Sequence, residues 1–298
     1  MSGAELAQQI VNALGLGSIY ALVAVGLAMV FGILRLINFA HGEVLMLGGY
    51  AAVFFALNGW SFWMVALLSV IATIIIGVIM ERVAYRPVRG APDVALLLTS
   101  LGVSIALQNL AMLVFGTQPK AFPTPEAMGG QISLGGGVQV STVNVISIAT
   151  AIVMMFLLTF FVTRTSIGTQ MRATAENAMA AKLMGINVNT VIVAAFIVGS
   201  ALAGVAGLLY GARVGRIEYT SGFIPVLKAF VATVIGGFGS IPGAVLGGFI
   251  LGFAEIMLVS LLPDDLTKYR DAFVFGALIL ILLFRPQGIL GSTEPEKI

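Results

Sequence analysis

The chain has no cysteine and only one histidine, His41. Those absences exclude a disulfide framework, a thiolate zinc site and a thiol nucleophile, and one imidazole cannot form an all-histidine metal site within a single chain. Charge is scarce as well: Asp, Glu, Lys and Arg make up 9% of the 298 residues. The net charge of +2 is scattered, so no nucleic-acid partner is implied even at a sequence pI near 9.0. No Gly-Lys dipeptide occurs, hence no G-x-x-x-x-G-K-[ST] phosphate loop with which to hydrolyse ATP. The opening MSGAELAQQ lacks the basic region of a cleaved signal sequence, so nothing need be removed.

What is abundant is hydrocarbon. Apolar residues make up 59% of the chain and the mean hydropathy is +1.07, which leaves too little polar surface for a soluble domain of this length. Apolar runs near the roughly 20 residues that span a bilayer fall at about 10–34, 42–57, 62–80, 93–116, 143–163, 191–211, 224–238, 242–262 and 271–284. The runs at 42–57, 224–238 and 271–284 are short. The expected fold is therefore all-α: a polytopic integral membrane protein with about eight to nine transmembrane helices in one domain over 1–298, and a Gly-rich broken or re-entrant segment near 235–243.

Lysine and arginine in the connections orient the chain. With the amino terminus outside, the inner segments hold nine: Arg35, Arg82, Arg86, Arg89, Arg164, Arg172, Lys182, Arg285 and Lys297. The outer segments hold five, Lys120, Arg213, Arg216, Lys268 and Arg270. This places 164–190 inside and the Gly/Pro-rich 117–142 loop outside, as an exterior hairpin or irregular cap. Within 164–190, residues 172–184 are good helix formers with no proline, and Gly185 supplies a stop. Met179 and Leu183, at i and i+4, form an apolar ridge flanked by alanines that another protein's groove can accept, the bland alternative being an ordinary solvated loop lying on the membrane surface. Asn187 or Asn189 is placed to cap the following helix.

Two stretches interrupt the membrane runs. LINFAHG at 36–42 with Glu43 brings Asn38, His41 and Glu43 into an apolar neighbourhood, and IGGFGSIPG at 235–243 holds four glycines and Pro242. Non-helical backbone at membrane depth requires protein or a water-filled cavity around it, and broken helices point to a translocation path. The bland reading of each is a surface turn. Lys228 lies five residues into its run and is expected to snorkel to the outer interface. Glu255 is deeper and must face the bundle or a cavity, paired or protonated. Lys228, Glu255, Gly236, Gly237 and Gly239 join Asn38, His41 and Glu43 as substrate-path candidates, the glycines through exposed backbone groups.

NFAHGE at 38–43, RATAENAMAAKLMGIN at 172–187, AFIVGSALAGVAGLLYG at 195–211 and LKAFVATVIGGFGSIPGAVLGG at 227–248 together resemble the H-type permease of bacterial branched-chain amino acid ABC transporters over nearly the whole chain. The resemblance implies an inner-membrane importer subunit for leucine, isoleucine or valine. It also implies an M-type partner permease, two cytoplasmic ATPase subunits that use ATP and Mg, and a periplasmic or lipid-anchored binding protein. Arg172, Glu176, Asn177, Met179, Ala180, Ala181, Lys182, Leu183 and Gly185 then form the coupling helix, with no metal or cofactor held by this chain. The importer consensus of Glu-Ala-Ala, three residues, Gly and a later Leu-Pro is only partly met: Met179 precedes Ala180 and Ala181, Gly185 fits, and no proline follows. Related permeases carry urea or short amides, which stands as an alternative substrate class. A secondary transporter using His41, Glu43 and Glu255 as proton relays leaves 164–190 without a purpose. An intramembrane enzyme needs convergent groups that Asp93, Asp264, Asp265 and Asp271, all at run ends, do not supply.

Overall fold

A helix that is apolar on all sides has no face for water and must be enclosed by other helices or by lipid. The first helix, α1 (Gly3–Leu34), is enclosed by protein: 83% of its most apolar window is buried, and the remaining helices are arranged around it. The computed structural model describes residues 3–125, 128–135, 138–284 and 287–291. Arg285 and Lys297 of the inner charge set lie outside these residues.

After α1 come α2 (His41–Leu57), α3 (Phe62–Met80) with a π turn at Glu81–Tyr85, and α4 (Asp93–Phe115). A short region follows in which β1 (Lys120–Ala121) precedes the hairpin of β2 (Gln131–Gly135) and β3 (Val138–Ser141). The chain continues through α5 (Thr142–Arg164), α6 (Ser166–Glu176), α7 (Ala178–Leu183) and α8 (Val188–Val214). Strand β4 (Arg216–Ile217) pairs antiparallel with β1, and α9 (Phe223–Gly236), α10 (Ile241–Leu261), α11 (Asp264–Thr267) and α12 (Arg270–Phe284) complete the described chain. Six helices are long and apolar enough to cross a membrane, and α2 and α9 are shorter apolar helices. Each apolar run of the sequence coincides with one helix.

α1 packs directly on α5, α8, α9 and α10, while α2 and α3 pack on α8. The outer surfaces of α3, α4 and α5 expose Leu67, Ile71, Leu98, Ile105, Phe156 and Phe160, as lipid-facing or partner-facing helices do. The end of α1, the 81–90 segment, α6, α7 and the glycine turn at 237–240 gather on one face, which we call the Leu34 face.

The helix expected over 172–184 is two helices. Asn177 breaks it with extended backbone (φ −154°, ψ 102°), and its Oδ1 accepts the N–H groups of Met179 and Ala180, both at 3.0 Å. An asparagine side chain offers the backbone a cap in place of the next helical turn, which propensity counted residue by residue does not register. Asn187 caps α8 in the same way, accepting from Asn189 and Thr190.

Candidate substrate path and coupling face

The first break is deep. After α1 ends, the chain doubles back as non-helical backbone through residues 35–40, and His41 at the start of α2 packs against Gly26. Gly26 lies eight residues before Leu34, so α2 starts about 12 Å inside the Leu34 end of the bundle at a rise of 1.5 Å per residue. The first turn of α9 meets it there. A Cβ on Gly42 would collide with the Gly222 carbonyl, and one on Gly222 with the Gly42 carbonyl, so only glycine at both positions lets the two helix ends touch. α2 and α9 run in opposite directions from this junction, with their amino-terminal ends together.

Glu43, in the first turn of α2, is fully buried at the junction. Its Oε1 accepts hydrogen bonds from Ser104 Oγ (3.0 Å) and Gln108 Nε2 (2.8 Å) of α4, and its Oε2 has no donor. Oε2 points at Gly222, 2.8 Å from where a Cβ there would sit. Two helix amino termini supply partial positive charge around this carboxylate. His41 is buried with Nε2 unpartnered, and Asn38 accepts from the Tyr85 hydroxyl at 2.6 Å while its Nδ2 has no acceptor. Non-helical backbone, two converging helix ends and unpaired buried polar atoms thus occur together. Ser104 and Tyr85 were not singled out from the sequence. Ser100, Ser104 and Gln108 form an i, i+4, i+8 polar row in α4, a signal that points to Ser104 but not to Tyr85.

The second break lies elsewhere. Gly237 and Gly239 adopt φ of 110° and 77° in a turn at the Leu34 face, where the Phe238 ring packs tilted by 38° against Phe31 with centroids 4.6 Å apart. The carbonyls of Ile235 and Gly236 accept from the N–H groups of Ile289 and Leu290 at 2.8 and 2.9 Å. Gly236 abuts Gly243 across the turn.

Lys228 does not snorkel to an interface. It is buried, and its Nζ lies 2.7 Å from Glu255 Oε1 and 3.0 Å from Asp271 Oδ1. Tyr20 donates to Glu255 Oε2 at 2.7 Å, and Arg270 Nε lies 3.6 Å from both carboxylates. The cluster joins α1, α9, α10 and α12. A carboxylate in reach decides against the interface, because a paired lysine need not remain in water.

On the Leu34 face, α6 is fixed to the bundle through buried Gly168, Met171 and Thr174, whereas α7 projects. Met179, Lys182, Leu183 and Met184 are exposed, Leu183 to 83%, and only Ala181 of α7 is buried. Arg172, Glu176, Asn177 and Ala180 are exposed beside them. Gly185 ends α7 with φ 84°, and the bonds from its N–H to Lys182 and from Ile186 N–H to Ala181 close the helix.

The sequence family described as branched-chain amino acid transport system, permease component, matches residues 9–283. The chain belongs to this family. It is 43% identical over 304 aligned residues to the high-affinity branched-chain amino acid transport system permease protein BraD of Pseudomonas aeruginosa, covering 98% of this chain and 97% of that protein. It is 41% identical, with the same coverage, to the permease protein LivH of Salmonella typhimurium. Identity to a probable LivH of Methanocaldococcus jannaschii is 28%, over 92% of this chain and 89% of that one. The family is one of permeases, in agreement with the spanning helices here, and the junction of α2 and α9 combines a helix break with unpaired buried polar groups.

Proposed function

We propose that this permease is the membrane subunit of an ATP-binding-cassette importer for leucine, isoleucine and valine in a bacterial inner membrane. It works beside a second, M-type permease, two ATPase subunits that hydrolyse ATP, and a binding protein that delivers the substrate. The observation that carries the substrate reading is the free oxygen of buried Glu43 at the junction of α2 and α9. An amino acid leaving water needs a partner for its ammonium group, since an unpaired charge in a low-dielectric bundle costs several kcal/mol or more. Glu43 Oε2 offers that partner, with His41 and Asn38 adjacent in the chain. Urea and short amides can donate N–H bonds to this oxygen but bring no positive charge to balance a buried carboxylate, so the same observation favours amino acids over amides. The exposed ridge of Met179 and Leu183 on α7 is the coupling contact, through which closure of the ATPases moves α6 and the helices attached to it.

The test is uptake by the reconstituted five-subunit importer, with labelled leucine, valine and urea compared. Glu43→Gln keeps the size of the side chain and removes its charge. Losing a charge-assisted bond of about 1.5–3 kcal/mol lowers leucine uptake roughly ten- to a hundredfold with assembly unchanged. Urea uptake in preference to leucine, or wild-type leucine uptake by Glu43→Gln, overturns the substrate reading.

A further inference from the structure

The transport reading leaves one built feature unused. Along α3, exposed Leu67, Ile71, Ile75 and Ile79 recur every four residues, and exposed Val83 in the following π turn extends the stripe. The stripe, on the face of α3 turned away from α8, ends in the chain where Arg82, Arg86 and Arg89 begin at the Leu34 face. Between these residues and the first turn of α8 lies a cavity of about 300 Å3, lined by the three arginines with Asn187, Asn189 and Thr190.

The cavity holds more positive than negative charge. Its carboxylate, Glu81, is fully buried and ion-paired to Arg89, with Arg82 Nε 3.6 Å from the other oxygen. Three arginines against one glutamate leave two charges uncompensated. Arg89 donates to Asn189 Oδ1 at 2.6 Å, yet its Nε is buried without an acceptor. Burial holds the Arg89 guanidinium below its ordinary range, Glu81 opposes this, and Arg86 and Arg82 add to the effect of burial. Guanidinium groups bind phosphate oxygens in pairs of parallel hydrogen bonds, and basic pockets at the ends of membrane helices take lipid headgroups.

We propose that this cavity binds the phosphate of an anionic phospholipid whose acyl chains lie along the Leu67 to Ile79 stripe of α3. The exposed apolar stripe that leads along the chain to Arg82 and Arg86 favours the lipid over free phosphate, because a free anion would use the cavity alone. Arg82 and Arg86 are exposed and reach the headgroup, and Arg89, anchored by Glu81 and Asn189, forms the floor.

The experiment uses the full-length chain, delipidated in a neutral detergent. The thermal unfolding midpoint is followed on adding phosphatidylglycerol, phosphatidylcholine or inorganic phosphate. R82Q/R86Q is compared with K120Q/R216Q, which removes the same charge near the β1–β4 pair. Phosphatidylglycerol raises the midpoint of the wild type and of K120Q/R216Q by several degrees, and R82Q/R86Q loses most of that shift. An equal shift in R82Q/R86Q overturns the site, and an equal shift from inorganic phosphate overturns the lipid assignment. Loss of ATPase co-purification in R82Q/R86Q with the lipid shift intact reassigns the arginines to protein docking. Should R82Q/R86Q not fold, a photoactivatable phosphatidylglycerol is reconstituted with the wild type. Crosslinks concentrated between residues 67 and 90 support the proposal, and crosslinks spread in proportion to lipid-exposed surface overturn it.

Discussion

Glu43 and Glu255 are two carboxylates buried to similar depth by opposite means. Glu255 is neutralised within the protein by Lys228 and Tyr20, whereas Glu43 has hydrogen bonds on one oxygen, two helix amino termini nearby and no cation. The first is a structural tie, and the second keeps an oxygen to which no described residue donates. Lys228→Met leaves buried Glu255 with only the more distant Arg270 as a cation, and breaking such a buried pair costs about 3–5 kcal/mol. The double variant Lys228→Met with Glu255→Gln recovers a large part of this loss, as thermal unfolding in detergent will show. No recovery argues that Lys228 does something other than pair. Gly42 is equally constrained: Gly42→Ala forces the Gly222 carbonyl away, at about 1–3 kcal/mol for overpacking. Its unfolding midpoint should fall while a Gly102→Ala control, whose surroundings are open, stays at the wild-type value.

Among elements, the paired helices on the Leu34 face divide labour. α6 is buried on one side and moves with the bundle, while α7 is held chiefly by its caps and presents its side chains outward. Leu183→Asp leaves the fold intact because the side chain is exposed, but it places a charge on the ridge. In the reconstituted importer, substrate-stimulated ATP hydrolysis and uptake should both collapse with insertion unchanged, and retention of both would remove α7 from the coupling contact. Asn177→Ala removes the cap that starts α7, a loss of about 1 kcal/mol. Its effect should be weaker coupling with normal spanning helices, read as a lower ratio of uptake to ATP hydrolysed.

At the scale of the whole molecule, the Leu34 face gathers Arg82, Arg86, Arg89, Arg172 and Lys182, while the β1–β4 pair carries Lys120 and Arg216 at the other end. On the expectation that positive charge is retained on the cytoplasmic side, α7 is predicted inside the cell and the β2–β3 hairpin outside. The cysteine-free background allows a direct check. Gln131→Cys in the hairpin should react with a membrane-impermeant thiol reagent in intact cells, and exposed Lys182→Cys should react only after permeabilisation. The reverse pattern overturns the orientation.

Hydropathy alone was enough to locate each membrane helix, because the cost of leaving polar backbone in hydrocarbon acts on every run independently of its neighbours. Three runs, 42–57, 224–238 and 271–284, read as short and pointed to one broken or re-entrant piece, where the structure has two shorter apolar helices, α2 and α9; the motif strings carried the family. What no local pattern contains is where those short helices begin in space. That His41 and Glu43 sit at a junction with Gly222, while Gly237 closes a turn sealed by Ile289 and Leu290, depends on contacts between residues far apart in sequence. The pairing of Lys228 with Glu255 is of the same kind: the sequence shows two costly charges 27 positions apart, and only packing α9 against α10 brings them within 2.7 Å. The break at Asn177 was local and readable, an asparagine two and three residues before amides it can cap, but helix propensity summed along the segment outweighed it. Tertiary structure decided which polar residues are already paired and which remain open to a ligand.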